Sequence, residues 1–351
     1  MKQLVLIMFL VSNHLIGMNV LKKCSYELLS RLRTKKKDND QKSFFNAPWR
    51  GSYMVAATKS LEKPSANLSA CKLCDKFTAS RDEDNYVLER KTYNYLALAR
   101  YPYHDQAHML VMPYKHTGSL LLLDDCERKE MIAIIAHIDS VFKKNKLNTF
   151  MGFNMGRNAG AGIPGHLHGH LIGYDHKHES ILHFKDKPVD LTAMYAQVKK
   201  MIENAQSIKM PQPVSDLHCP DCLNKSQTSY IIKRGLFNYV ALDARPFNAG
   251  HLNVVPYVHV NTIEHMSADM QQESMALIIQ SCNALTHVVK ASDFNIGFHN
   301  NSPEKHFKWH IIPRNQGDVS CTEVIGHIKI ISLSTEQLYH ALCEQFDKHD
   351  N

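Results

Sequence analysis

The chain lacks any apolar run long enough to cross a bilayer. The run Leu4–Val11 near its start has the length of a signal-peptide core, but no small-x-small cleavage site follows in Ser12–Gly17. The expectation is a packed or frayed terminal segment, or a start at Met18, with secretion as the alternative. Cysteine is too sparse for a small disulfide scaffold, at nine in 351 residues and odd in number. Glycine and proline, at 15 and 13 residues, exclude a collagen-like or low-complexity fibre. Strong charge of one sign is missing too. The net charge of +7, from 41 basic and 34 acidic residues, suits a polyanion such as a nucleotide but does not call for a nucleic-acid partner. At 44% hydrophobic residues the chain can bury real cores, and its length bounds two to three domains.

Histidine is what the sequence has in quantity, at 22 residues, and this directs attention to metal binding and acid–base chemistry. Four cysteines fall as two Cys-x-x-Cys pairs, Cys71/Cys74 and Cys219/Cys222. That spacing reads as metal ligation in a reducing compartment, hence a cytoplasmic chain with no membrane partner.

The pairs open two similar stretches. After Cys71 and Cys74 come Asn94–Leu98, the segment from His108 to His116, Asn154-x-Gly156, and His166-Leu-His168-Gly-His170. After Cys219 and Cys222 come Asn238–Leu242, the segment from His251 to His259, Asn295-x-Gly297, and His306-Phe-Lys308-Trp-His310. Such order in register is an internal repeat. It divides the chain into an N-terminal extension and basic linker at 1–47, a first domain at 48–205, a linker at 206–218 and a second domain at 219–351. Alternation predicts short strands at Tyr95–Leu98, His108–Met112, Thr149–Met155 and His166–Ile172, and 3.6-residue spacing predicts helices over Asp124–Lys144 and Ala268–Lys290. The fold class is therefore α+β, two domains each with an antiparallel sheet and a long helix placed before its last two strands.

Cys71, Cys74, His116 and His166 make one set of two thiolates and two imidazoles, and Cys219, Cys222, His259 and His306 make the other. Four such ligands close a tetrahedral zinc site, which gives one or two structural Zn2+ ions per chain. The alternative, a redox dithiol, needs no downstream histidines in register. A third reading, a zinc-ribbon nucleic-acid binder, needs basic and aromatic residues around the Cys pairs, whose partners instead lie far along the chain. On a strand, alternation sets His166, His168 and His170 on one face. The loop Gly156–Gly165 before them, with Gly160 and Gly162, offers amides to an anionic phosphate, and a histidine beside it is a nucleophile for nucleotidyl transfer.

His166-Leu-His168-Gly-His170-Leu-Ile172 resembles the histidine triad signature. The Asn-x-Gly-x-x-Ala-Gly wording upstream, and Pro48-Trp-Arg50 with Tyr53, are similar to the diadenosine tetraphosphate phosphorylase branch. The doubled layout with zinc ligands resembles galactose-1-phosphate uridylyltransferase. The resemblance covers about Pro48 to Arg314. It implies that His168 is the nucleophile, that His170 orients or charge-balances the site, and that His166 serves both triad and metal. It also implies that His108 borders the site and that Asn154 touches phosphate. The implied partner is a nucleotide or nucleotide-sugar substrate, and the implied assembly is an internal pseudo-dimer acting as a monomer or homodimer. Arg100 stands where relatives place Asn or Asp near the ribose, Gly162 where they place Gln or Ser, and Lys308 where the second copy would hold its nucleophile. These departures keep open a catalytically weak nucleotide-binding module.

Overall fold

A computed structural model describes residues 71–78, 81–175, 189–205, 219, 222, 230–244, 246–300, 306–318 and 335–348. The apolar N-terminal run, the basic linker, Pro48 and Tyr53, and the linker 206–218 lie outside the described residues. No described helix is long and apolar enough to cross a membrane.

Ten strands form one sheet: β1 (Val87–Arg90), β2 (Asn94–Leu98), β3 (Ala107–Pro113), β4 (Leu147–Met155), β5 (Gly169–Asp175), β6 (Ile231–Arg234), β7 (Asn238–Leu242), β8 (Leu252–Pro256), β9 (Asp293–Asn300) and β10 (Trp309–Arg314). The order is β1-β2-β3-β5-β4-β9-β10-β8-β7-β6, and every pairing is antiparallel. The second five strands thus repeat the order of the first five in reverse, joined through β4 and β9. The α+β expectation holds, with one continuous sheet rather than two small ones. The edge strands β1 and β6 were not expected, because four mixed residues carry no clear alternation.

Among the described residues the helices are α1 (Lys72–Thr78), α2 (Asp125–Lys144), α3 (Leu191–Ala205), α4 (Ala268–Val288) and α5 (Thr335–Asp347). The α2 helix starts where the sequence dictates: Asp124 and Glu127 form a reciprocal capping box, and Lys143 and Lys144 sit in the negative last turn. Its Met131, Ile135, Ile138 and Phe142 recur at helical spacing and are fully buried. Ser267 caps α4 through the Met270 amide. Residues of both helices share one apolar core with Met109, Val111, Met151 and Leu171 on one face of the sheet. Leu110 and Met112 alternate to the other face, where they pack with Tyr95, Leu73, Cys71 and Cys74. Burial on both sides is why β2 and β3 read as unbroken apolar runs.

Each long helix also locks a hairpin. The Glu130 carboxylate on α2 accepts from the amides of Thr92, Tyr93 and Asn94, at 2.8–3.0 Å. Glu273 on α4 does the same for Leu236, Phe237 and Asn238. Asn94 and Asn238 donate side-chain hydrogen bonds to these glutamates and to the helix carbonyls of Glu127 and Met270. The recurring Asn is therefore a structural latch.

One expected register is corrected. The repeated Asn-x-Gly set Asn154 against Asn295 as equivalents, whereas in the sheet Gly152 pairs with His170 and Gly297 pairs with His310. Gly152 and Gly297 hold matching places, so His299 is the counterpart of Asn154. The sequence separation of β4 from β5, at 156–168, is longer than that of β9 from β10, at 301–308, so like words in sequence fall out of register in space. Gly152 and Gly297 pair directly at the β4–β9 join. A Cβ on Gly297 would lie 2.1 Å from the Met151 carbonyl oxygen, whereas one on Gly152 would meet the Phe150 ring at 3.0 Å, a side chain that can turn away. Gly297→Ala is therefore expected to destabilise the chain by about 3 kcal/mol, and Gly152→Ala by about 1 kcal/mol, in denaturant unfolding.

Candidate functional site

The strand predicted over His166–Ile172 begins only at Gly169. His166 and His168 lie in the approach to it, and the three histidines do not act as one face. His166 is fully buried and turns its Nδ1 to Cys71 Sγ and Cys74 Sγ, 3.4 Å from each. His116 Nδ1 lies 3.3 Å from Cys74 Sγ. Zn–S and Zn–N bonds of about 2.3 and 2.0 Å in a tetrahedron put sulfur and nitrogen about 3.5 Å apart, so the spacing fits a shared ion. The far nitrogen of His166 donates to the Pro113 carbonyl at 3.0 Å, which fixes the ring and leaves Nδ1 as the ligand atom. Burial pushes the Cys74 thiol up to about 12 and His166 down to about 4, a cost to both charged forms that a bound cation reverses for the thiolate.

The second set has the same build. Cys219 and Cys222 lie 3.6 and 3.4 Å from His306 Nδ1, Cys222 lies 3.3 Å from His259 Nδ1, and His306 Nε2 reaches the Pro256 carbonyl at 2.9 Å. In each set the four donor atoms lie within 4.8 Å of one another, so both could hold a metal ion.

His168 is buried and its Nδ1 lies 2.8 Å from the carbonyl oxygen of His166. A carbonyl only accepts, so Nδ1 carries the proton and Nε2 keeps its lone pair. Burial lowers the His168 pKa, chiefly by desolvation, and keeps that lone pair unprotonated. The neighbouring ring of His170 is 5.1 Å away, centroid to centroid. The Tyr103 amide donates to His108 Nδ1 at 2.9 Å, so His108 Nε2 carries a proton and donates it to His170 Nδ1 at 3.0 Å. His170 in its neutral form then bears its own proton on Nε2. Tyr103, which the sequence did not single out, thereby sets two tautomers, and its ring stacks on His108. These groups open on a cavity of about 390 Å3 lined also by Lys72, Asn85, Arg100 and Ile163.

The glycine loop is less open than expected. The amides of Asn158, Gly160, Ala161 and His166 already donate, to Asp293, Arg157, Gly156 and Ile163. Neither Gly160 nor Gly162 lines the cavity. Gly160 serves the turn through its positive φ of 85°. Asp293 on β9 was missed; it ties the loop to the second block of strands and occupies the space beside Gly156 that a Cβ would need. Asn154 follows Phe153, which pairs with Gly169, and so stands on the strand beside His168.

In the second block, Phe247 N–H donates to His251 Nδ1 at 3.1 Å and His251 Nε2 meets His310 Nδ1 at 3.0 Å, the same tautomer chain. Asp243 stands 4.0 and 3.9 Å from these two nitrogens. The three side chains are close enough to suggest a metal set. The proton that Phe247 forces onto His251 Nε2, however, occupies the nitrogen a metal would need. Lys308 stands where His168 stands, half-buried.

Residues 83–177 match the family model of the HIT domain, and residues 206–325 match that of a protein similar to CwfJ C-terminal. An AP-4-A phosphorylase of Mycobacterium tuberculosis is 31% identical over 106 residues, 29% of this chain and 54% of that one. The chain thus spans about half the length of the curated relatives it matches. An ADP-glucose phosphorylase from Arabidopsis thaliana with bound ADP-glucose shares the fold at TM-score 0.57 and 16% identity, over 81% of this chain and 92% of that one. A uridylyltransferase does so at TM-score 0.55 and 13% identity, over 82% and 92%. The triad, its supporting strands β1 to β5 and α2 all fall within the stretch that matches the HIT domain model.

Proposed function

We propose that the chain transfers a nucleotidyl group from a nucleoside phosphoanhydride or nucleotide sugar through a covalent intermediate on His168. The observation that carries this reading is the 2.8 Å bond from His168 Nδ1 to the His166 carbonyl, which aims an unprotonated Nε2 at the cavity. In the first step Nε2 attacks the α-phosphorus, the bond from that phosphorus to the bridging oxygen breaks, and the distal group leaves with the electron pair. The His170 Nε2–H, oriented by His108, donates to the phosphate oxygens as charge builds on them. In the second step an acceptor oxygen from water, orthophosphate or a sugar phosphate attacks phosphorus, the P–N bond breaks and its electron pair restores His168. Asn154 is proposed to contact phosphate from the neighbouring strand.

The two Cys/His sets are proposed to hold structural zinc. When bound, the ion supplies no reaction step and fixes His166, whose carbonyl positions His168. The domain limits 48–205 and 219–351 are proposed as two histidine-triad units forming an internal pseudo-dimer, supported by the reversed strand order across the β4–β9 join. The second unit keeps the histidine chain and has Lys308 in the nucleophile's place, so catalysis is assigned to the first.

His168→Ala is expected to abolish adduct formation and cut turnover about a thousandfold or more, while Lys308→Ala leaves both unchanged. The check is trapping of an acid-labile adduct from labelled dinucleoside polyphosphates and nucleotide sugars. Activity that survives in His168→Ala and disappears in Lys308→Ala would reverse the assignment. No adduct or turnover with the parent protein would favour the binding-module reading. For zinc, Cys71→Ser should lower metal content from two ions to one and lower the melting temperature with it, by elemental analysis and calorimetry. A folded parent protein purified without zinc would contradict this.

A further inference from the structure

At the β4–β9 join, on the helix side of the sheet, a cluster of polar side chains is buried where the core is otherwise apolar. Asp139 on α2 is fully buried, and neither oxygen of its carboxyl has a hydrogen-bond partner among the described residues. The groups that face it are the Lys143 ammonium, the Thr149 hydroxyl, the Ile263 amide and the Glu264 carboxylate, and none closes a hydrogen bond to it. Thr149 Oγ1, Thr262 Oγ1, Glu264 Oε2 and Asn300 Nδ2 are buried and unpartnered as well. Two contacts carry the cluster across the blocks: Lys143 Nζ donates to the Asn300 carbonyl at 3.1 Å, and Ser140 Oγ donates to Glu264 Oε1 at 2.7 Å. Thr149 on β4 and Asn300 on β9 pair directly.

The fold does not require this polarity, because exchanging the two blocks shows the apolar alternative. The caps Asp124 and Ser267, with the latches Glu130 and Glu273, match α2 to α4 residue for residue and set Cys282 in the place of Asp139. The Gly152–Gly297 match sets Phe294 and Met155 in the places of Thr149 and Asn300. The single turns before the two helices, Leu120–Leu122 and Ile263–His265, set Leu121 in the place of Glu264. All four replacements lie in or against the apolar core. On the helix side the join therefore runs from a polar pair, Thr149–Asn300, through Met151–Phe298 and Phe153–Ile296 to Met155–Phe294. A two-residue slip would keep every side chain on its face but would set Thr149 and Asn300 against apolar neighbours, so the polar pair marks one register.

Six buried polar atoms without partners are a load that a protein of ordinary stability does not carry unanswered. Burial pushes the Asp139 carboxyl up and the Lys143 ammonium down, since each charged form loses solvent. A guest that answers all six atoms must both donate and accept, because carboxylate oxygens only accept, the Asn300 amide nitrogen only donates and the hydroxyls do either. A metal cation would suit the oxygens but would face the Lys143 ammonium, the Ile263 amide and the Asn300 donor. Water meets every one of these groups. We infer that the cluster is a binding site for ordered water, about two molecules at about three hydrogen bonds each, which joins α2 to the second block and holds the β4–β9 register. That register is the one that brings Asp293 to the glycine loop of the first block.

The test counts long-lived water in the full chain by oxygen-17 relaxation dispersion and reads stability by calorimetry, so that neither turnover nor substrate is needed. Asp139→Leu is expected to lose about two long-lived waters relative to the parent protein and to melt about 5 °C lower. Asp139→Asn, which can still donate and accept, should keep the water and melt no lower than the parent. Thr149→Val removes one hydroxyl at nearly constant shape and serves as the milder variant should Asp139→Leu not fold; it is expected to lose about one water. Equal water counts in the parent and in the Leu and Val variants would overturn the site. So would a crystal structure of the parent in which Asp139 bonds directly to Lys143 or Thr149 with no water between. A melting temperature that rises with sodium, potassium, magnesium or calcium at fixed ionic strength, and does so only while Asp139 is present, would put a cation there and overturn the choice of water.

Discussion

His166 is the residue on which the site depends, because three of its atoms serve four neighbours at once. Its Nδ1 faces Cys71 and Cys74, its Nε2 is held by the Pro113 carbonyl, and its own carbonyl fixes the tautomer of His168. An imidazole between two cysteine sulfurs and a strand carbonyl cannot rotate without losing partners in a buried place, where each loss costs about 1–3 kcal/mol. The Cys/His set and His168 are therefore one rigid assembly. A change at Cys71 reaches His168 through a single residue.

The same economy runs through the second block of strands. His306 repeats the placement of His166 between two sulfurs and a proline carbonyl, and Phe247, His251 and His310 repeat the tautomer relay of Tyr103, His108 and His170. What differs is the residue beside the relay, Lys308 where the first block has His168. The second block also serves the first. It supplies β9, whose Asp293 pins the glycine loop and whose Gly297 pairs with Gly152 at the join.

The ligand sets, the long helices and the α+β class were legible in the sequence because each is written in local spacing. Capping residues mark where α2 and α4 begin, Cys-x-x-Cys spacing is fixed by one turn of chain, and the apolar period needs no knowledge of the partner. The single face expected for His166, His168 and His170 was not so determined. Alternation holds only inside a strand, and the strand starts at Gly169, since the Cys/His cluster turns His166 away first. The loop 156–168 read as a row of free amides, yet hydrogen bonds to Asp293 and within the turn consume several of them.

By itself, then, the sequence determined the two Cys/His donor sets and the long helices and inner strands around them. Tertiary structure alone decided how the two blocks meet. The Gly152–Gly297 pairing and the matching of His299 rather than Asn295 to Asn154 both follow from the register between β4 and β9. That register joins residues about 145 positions apart, and it is set by backbone approach at two glycines and by the packing of helices beneath, neither of which leaves a periodic signal along the chain.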